Sequence, residues 1–266
     1  MSEVYIQEAL SQGMKALGFS AHAPVNFENK WSLKSANVKP YTAAIKALKE
    51  KYKHDIAIYH GLESDYIPSI SIPFETFVKD LNLDYVIGSV HLVRSPKGDA
   101  LWFIDGPGKN FDNGLEQFFD NNAKAAVRAF YEQSIDMVVT QKPDIIGHMD
   151  KIKMNNRNRF FTEDETWYTQ LVEALLDVIK ENNVIVELNT RGFYTGKILD
   201  FFPSKYILSS CLERGIPVML NADAHKPEQL TMGYTEALLV LKNVGYKELW
   251  VLEESVWKPV SIDDFS

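Results

Sequence analysis

The sequence predicts an α/β barrel of the TIM type, and three observations carry that expectation. Helical patterns alternate with short apolar runs along the chain, as parallel βαβ units require. Six or seven such units fit into 266 residues with no Pro/Gly/Ser-rich linker and no internal repeat, so 1–266 reads as one domain. Side chains able to ligate metal recur at the C-terminal ends of the strands, where a barrel carries its active site. An open doubly wound sheet is the second choice.

Residues 3–15 read as a helix, followed by the strand Ala16-Leu-Gly-Phe-Ser20. Ala44, Ile45 and Leu48, at helical spacing, mark the next helix, before the strand Ile56-Ala-Ile-Tyr59. A helix near 73–81 leads into the strand Tyr85–Val90, and one long helix over 114–139 precedes Asp144-Ile-Ile-Gly147. Thr162 with Glu165 reads as a capping box opening a helix to about 181, ahead of the strand Val184–Leu188. Pro203 opens a further helix, followed by the strand Pro217–Leu220. The pattern Tyr234–Val244 is the last helix and leads to the strand Leu249–Leu252. A barrel ordinarily begins with a strand; this chain begins with a helix.

Composition narrows the function. Lys and Arg number 28 against 36 Asp and Glu, and the net charge of −8 argues against a broad nucleic-acid surface. A composition of 45% hydrophobic and 12% aromatic residues supplies a core rather than a disordered chain. Cys211 is the only cysteine, which excludes an internal disulfide and a cysteine-based zinc site; its helical setting makes it a small buried hydrophobe. No apolar run approaches the ~18 residues of a membrane span, and the first residues lack the basic flank and apolar stretch of a signal peptide. The expectation is a soluble cytoplasmic domain with neither nucleic acid nor membrane as partner.

The positions of the histidines and carboxylates carry the chemistry. His22 follows the strand ending at Ser20, Glu63 follows Ile56–Leu62, and His91 ends Tyr85–Val90. His148 ends Asp144–Gly147, and Asp223 and His225 follow Pro217–Ala222. Alternation along a strand puts Ala57, Tyr59 and Gly61 on one face with Glu63, Ile87 and Ser89 with His91, and Ile146 with His148. One strand-end histidine alone is ordinarily structural; six ligand-type residues at one end of five strands are a constellation. His60 has the opposite parity to Glu63 and should pack under a helix, while His54 sits at a helix end, where a cation suits the dipole. Imidazole and carboxylate without thiolate suit Zn, Mn or Fe, and Glu63 could bridge two such cations. The chemistry would be metal-assisted hydrolysis, with the cations activating water and stabilising charge on the departing group. No glycine-rich phosphate loop or serine nucleophile elbow competes with this reading.

At these residues the sequence resembles the polymerase-and-histidinol-phosphatase (PHP) metallohydrolases, in their histidinol-phosphate phosphatase branch. The matching segments are Gly18–Pro24, Gly61–Tyr66, Ile87–His91, Asp144–His148, Glu187–Gly192 and Asn221–His225, in the family's order. The resemblance implies a distorted (β/α)7 TIM-like barrel with up to three divalent metals at its mouth. It implies that Glu63 bridges two metals, with His91 and His148 completing one site. Asp223 would belong to the other bridged site, and His22 and His225 to a third. Two departures stand out. The family opens with a strand carrying His-x-His and a following Asp or His, yet residues 1–21 hold no histidine or aspartate. The expectation is that Met1 is an internal methionine of a longer chain, that the first strand is absent here, and that only the middle site is complete. Ala21 stands where many relatives carry an acidic residue before the histidine.

A phosphate dianion needs cations nearby. Arg191 is the first candidate, Lys153 the second and Arg94 the third, each otherwise a surface charge. Trp102, Phe103 and Asp105 lie in a long loop at the mouth. Phe103 is more simply loop packing, and Asp105 is a candidate for a substrate ammonium group. The resemblance implies hydrolysis of the small phosphomonoester L-histidinol phosphate to L-histidinol and phosphate in histidine biosynthesis, with Asp223 and His225 managing protons. The alternatives are another PHP-type phosphoesterase or nuclease, and a non-catalytic metal-binding scaffold.

Overall fold

A computed structural model describes residues 2–265; position 1, read above as an internal methionine, lies outside them. The first half contains α1 (Ser2–Ser11), β1 (Ala16–His22), α2 (Ser35–Lys51), β2 (Ala57–Asp65), α3 (Phe74–Leu81) and β3 (Tyr85–Ser89). After it come β4 (Leu92–Arg94), β5 (Leu101–Phe103), α4 (Gly108–Phe119), α5 (Ala123–Gln141) and β6 (Ile145–Ile146). The last part contains α6 (Thr166–Glu181), β7 (Ile185–Asn189), α7 (Arg191–Tyr194), α8 (Lys205–Arg214), β8 (Val218–Asn221), α9 (Tyr234–Val244), β9 (Glu248–Glu253) and β10 (Val256–Ser261).

Six strands form one parallel sheet in the order β1-β2-β3-β6-β7-β8, curled into a half-barrel. Helices cover its outer face, as parallel sheets demand. The largest core lies there, where Val86, Ile146, Val186 and Leu220 meet Phe130, Met137, Leu175 and Leu208 from the helices. The register is set by close backbone approaches on the inner face. A Cβ at Gly18 or Gly61 would come within 2.5 Å of the Tyr85 side chain, so the ring of Tyr85 can lie across both neighbouring strands. Among the described residues β1 and β8 are the edges of the sheet. α1 spans this seam: Ile6 and Ala9 pack with Leu17 of β1 and with Leu230 beyond β8, and Thr231 donates a 2.9 Å hydrogen bond to Gln12.

The strand expected at Leu249–Leu252 does not join the parallel sheet. It forms β9 of an antiparallel hairpin with β10. Glu254 and Ser255 both take positive φ, 51° and 63°, the two-residue turn that reverses a chain tightly. Trp250, Leu252 and Trp257 pack against Tyr59, Tyr85, Ile87, Ile145 and Ile185, giving the half-barrel an apolar floor. The expected helix over 114–139 is two, because Asp120 and Asn121 adopt left-handed φ and the Asn122 side chain caps α5 by accepting from the Ala125 N–H at 3.0 Å. α6 begins at Thr166 rather than Thr162. Glu165 accepts from the Thr162 N–H at 2.9 Å and from the Trp167 indole at 2.6 Å, bracing a turn before the helix. The parity argument fails at one position: Ile146 faces the outer core and Ile145 the inner cluster. His148 still reaches the mouth because the backbone turns over at its own φ of 26°.

Candidate metal centre

The β1–β2 register sets His22 beside Glu63, and β2–β3 sets Asp65 beside Ser89, so the two strand ends meet at the mouth. Glu63 is at the centre. Its Oε1 accepts from the Ser89 hydroxyl at 2.7 Å and lies 3.1 Å from His148 Nε2 and 3.8 Å from His91 Nε2. Its Oε2 lies 3.6 Å from His22 Nε2. Asp65 lies 2.5 Å from His91 Nδ1 through Oδ1 and 3.5 Å from His22 Nδ1 through Oδ2. By engaging Nδ1, Asp65 fixes the His91 ring so that Nε2 faces Glu63, an arrangement typical of carboxylate-oriented metal ligands.

The charges respond to this crowding. Burial works against ionisation of Glu63, but His22, His148 and His91 hold its carboxyl well below the ordinary range. Asp65 is likewise buried and is lowered by His91 and His22. Burial disfavours the His22 cation, yet Glu63 and Asp65 outweigh it and raise the imidazole to about 9. His91 is raised by Asp65 and Glu63 against the same penalty. His148 moves the other way, lowered by burial and then by the Lys151 cation.

These residues fit a divalent cation. The groups His22–Asp65–His91 and Glu63–His91–His148 each offer three ligand atoms lying within 4.8 Å of one another. His148 Nδ1 is buried without a hydrogen-bond partner, and His22 Nδ1 and Asp65 Oδ2 have only each other at 3.5 Å, a polar capacity that is costly to bury unless a ligand takes it up. The donor set is nitrogen and oxygen alone, as in catalytic rather than structural zinc, or in manganese and iron sites.

The opposite flank is more open. Asp223, at φ 50°, accepts from Asn189 Nδ2 at 3.3 Å. His225 is half exposed, with Nδ1 3.0 Å from the Asp223 carbonyl and 3.4 Å from its carboxylate. Neither joins the two ligand groups among the described residues. Arg191, at the start of α7, donates to the Asp223 carbonyl at 3.1 Å and to the Tyr194 hydroxyl at 3.2 Å. Beneath them Glu187 accepts from the His148 N–H at 2.8 Å, and burial followed by Asp223 and Glu63 raises its carboxyl to about 7.

Two of the expected phosphate cations are engaged elsewhere. Lys153 is buried 2.7 Å from Asp150 and 3.5 Å from Glu163, because the short helical turn after His148 aims it away from the mouth. Arg94, in β4, holds Asp99 at 2.8 Å and the Pro68 carbonyl at 3.3 Å, bracing its own hairpin. Asp105 does reach the mouth, 4.0 Å from His91 Nε2, and it is flanked by Lys151 at 3.4 Å and Lys197 at 3.6 Å. His60 faces outward, its ring 5.6 Å from Tyr41 of α2, and Cys211 is buried with its thiol raised to about 12.

Sequence reasoning missed Asp65, Glu187, Lys151 and Lys197. Asp65 was legible, since it lies two residues beyond Glu63 on the same face. A carboxylate within the apolar run Val184–Leu188 was a comparable signal for Glu187. Lys151 and Lys197 sit in irregular segments whose direction no periodicity reports.

Fold and centre together define a metal-binding α/β half-barrel with its ligands at the strand ends. The chain belongs to the PHP domain family, whose model matches residues 2–191. It is 26% identical over 245 residues to a Deinococcus radiodurans protein named "probable histidinol-phosphatase", covering 91% of this chain and 86% of the relative. It is also 26% identical over 255 residues to the histidinol-phosphatase of Bacillus subtilis, covering 88% and 90%. A solved Lactococcus lactis histidinol phosphate phosphatase, complexed with zinc, L-histidinol and phosphate, shares the fold at a TM-score of 0.69 and 20% identity, covering 97% of this chain and 92% of that one.

Proposed function

We propose that this chain is a metal-dependent phosphomonoesterase that hydrolyses L-histidinol phosphate to L-histidinol and phosphate, a step of histidine biosynthesis. The observation that carries the reading is the convergence of His22, Glu63, His91 and His148 at one mouth, oriented by Asp65. The names of the D. radiodurans and B. subtilis relatives support the substrate. Glu63, His91 and His148 would hold one divalent cation, with Asp65 orienting His91, and His22 would offer a ligand to a second. Bound cations would activate water and neutralise charge on the phosphoryl oxygens.

The rest is the work of this chain's own side chains. Arg191 at one side of the mouth and Lys151 with Lys197 at the other offer the cations that a phosphate dianion requires. Lys151 takes the place that Lys153 holds in the sequence-based expectation, because its ammonium faces Asp105 and the mouth. Asp105 presents a carboxylate, kept ionised against burial by Lys151 and His91, that suits the ammonium of L-histidinol. Asp223 and His225, adjacent and partly solvated, would pass a proton to the leaving alcohol.

The test is joint measurement of metal content and phosphate release from L-histidinol phosphate after loading with Zn, Mn or Fe. Release that needs the metal and exceeds that from p-nitrophenyl phosphate supports the reading. Metal binding with no release from any ester overturns it in favour of a scaffold.

A further inference from the structure

Two loops meet beside the metal centre through a pair of aromatic rings. Trp31 stacks on Phe103 with ring centroids 5.4 Å apart and planes 13° from parallel. Trp31 belongs to the segment after β1. Its N–H and that of Ser32 are held by the Asn29 side chain at 3.1 and 2.8 Å, and the Leu33 N–H donates to the His22 carbonyl at 3.0 Å. Phe103 ends β5, opposite Leu92, and the next residue, Ile104, donates to the His91 carbonyl at 3.0 Å. The rings are therefore tethered through the backbones of two ligand histidines.

Their direction follows from alternation in β5. Trp102 is buried against Phe111 and Phe119 in the main core. Phe103 faces the other way, and just beyond the end of β5 Asp105 lies 4.0 Å from His91 Nε2. Phe103 packs against the Trp31 loop, as the simpler expectation for it has it, while Trp102 belongs to the core. Trp31 remains 36% exposed although it is stacked and braced. A partly exposed aromatic stack beside a polar mouth is the kind of apolar surface that ligand sites use.

We propose that Trp31 and Phe103 form a specificity wall that packs against the planar ring of the alcohol portion of the substrate. This deepens the phosphomonoesterase reading and rests on it: the phosphate end faces the metals and Arg191, and the wall stands on the β1–β3 side. The wall selects phosphomonoesters whose alcohol carries a flat heteroaromatic ring such as imidazole.

The test compares L-histidinol phosphate with ethanolamine phosphate, which keeps the phosphate and ammonium but lacks the ring. Trp31→Ala and Phe103→Ala should each lower the ratio of kcat/KM for the first ester over the second about tenfold, through KM rather than kcat, and Trp31→Phe should restore most of it. An unchanged ratio, or a kcat loss equal on both esters, overturns the wall. If neither ester is hydrolysed, the phosphatase reading falls, and calorimetric binding of L-histidinol to the zinc-loaded protein decides the wall by itself. Binding weakened about tenfold in Trp31→Ala and kept in Trp31→Phe supports it; binding that is absent or unaffected by Trp31→Ala overturns it.

Discussion

On the β1–β3 flank of the mouth, His22, Glu63, Asp65 and His91 are packed into mutual reach, and the His91 side chain is only 5% exposed. On the β7–β8 flank the His225 side chain is 52% exposed, and the Asp223 carboxylate meets only the Asn189 amide at 3.3 Å and His225 at 3.4 Å among the described residues. The first flank is closed because parallel registry sets its ligands on adjacent strands, and His148 approaches Glu63 from a third. The second hangs its ligands on the loop beyond β8, whose far side is the sheet edge. We read in the contrast a division of labour: the closed flank would hold metal, and the open flank would supply the proton-handling pair Asp223 and His225.

The largest effect that would break this contrast is at its centre. Glu63→Gln should abolish metal retention and lower phosphate release by more than about 10³-fold, because three imidazoles lose their shared carboxylate; elemental analysis beside phosphate assay checks it. Asp223→Asn should cut phosphate release about 10²-fold while the metal at Glu63, His91 and His148 stays bound. Equal metal loss in both variants would show that the flanks are one unit. Asp65→Asn should weaken metal affinity by about 10- to 100-fold in chelator competition, since the tautomer and aim of His91 depend on it.

Acidity sharpens the same contrast. His22 is raised to about 9, so the metal-free protein carries it charged at neutral pH, and its ion pairs stabilise that form fully below about 6.5 and progressively less as pH rises through about 9. Metal binding must expel this proton. Affinity should therefore climb at least tenfold per pH unit toward about 9 and then flatten, because His91, also raised, gives up a proton as well, as read by titration with a metal indicator. The smallest effect lies on the opposite face of β2. Burial lowers His60 to about 4, with Lys46 and Lys49 acting in the same sense and Asp84 against them. A depressed imidazole stabilises the fold above about 6.5, and that contribution, at most about 3 kcal/mol, is lost as pH falls toward about 4. His60→Phe should flatten this slope in urea melts at pH 7 and pH 5.

Much of the site was legible because strand ends are legible. Apolar runs such as Tyr85–Val90 end abruptly in a histidine or carboxylate, and alternation then assigns a face. The principle reached its limit where backbone leaves regular geometry. His148 reaches the centre through a positive φ that no pattern of side chains announces. Lys151 and Lys153 were confused because a tight helical turn, not a strand, determines which of them points inward. The three-residue strands β4 and β5 were too short to show a period, so the ribbon that carries Phe103 and Asp105 read as a loop. At the end of the chain, Leu249–Leu252 has the composition of one more barrel strand. Only the two left-handed residues at Glu254 and Ser255 turn it into a hairpin.

That hairpin links the metal centre to the order of synthesis. The floor beneath the ligands is made by Trp250, Leu252 and Trp257, so the inner ends of strands completed much earlier stay uncovered until the hairpin too has left the ribosome. A nascent chain that has emerged only as far as α9 would present Tyr59, Tyr85, Ile87 and Ile185 as an open apolar concavity. It is the fourteen residues of the hairpin, 248–261, that turn this open concavity into the closed base of the half-barrel.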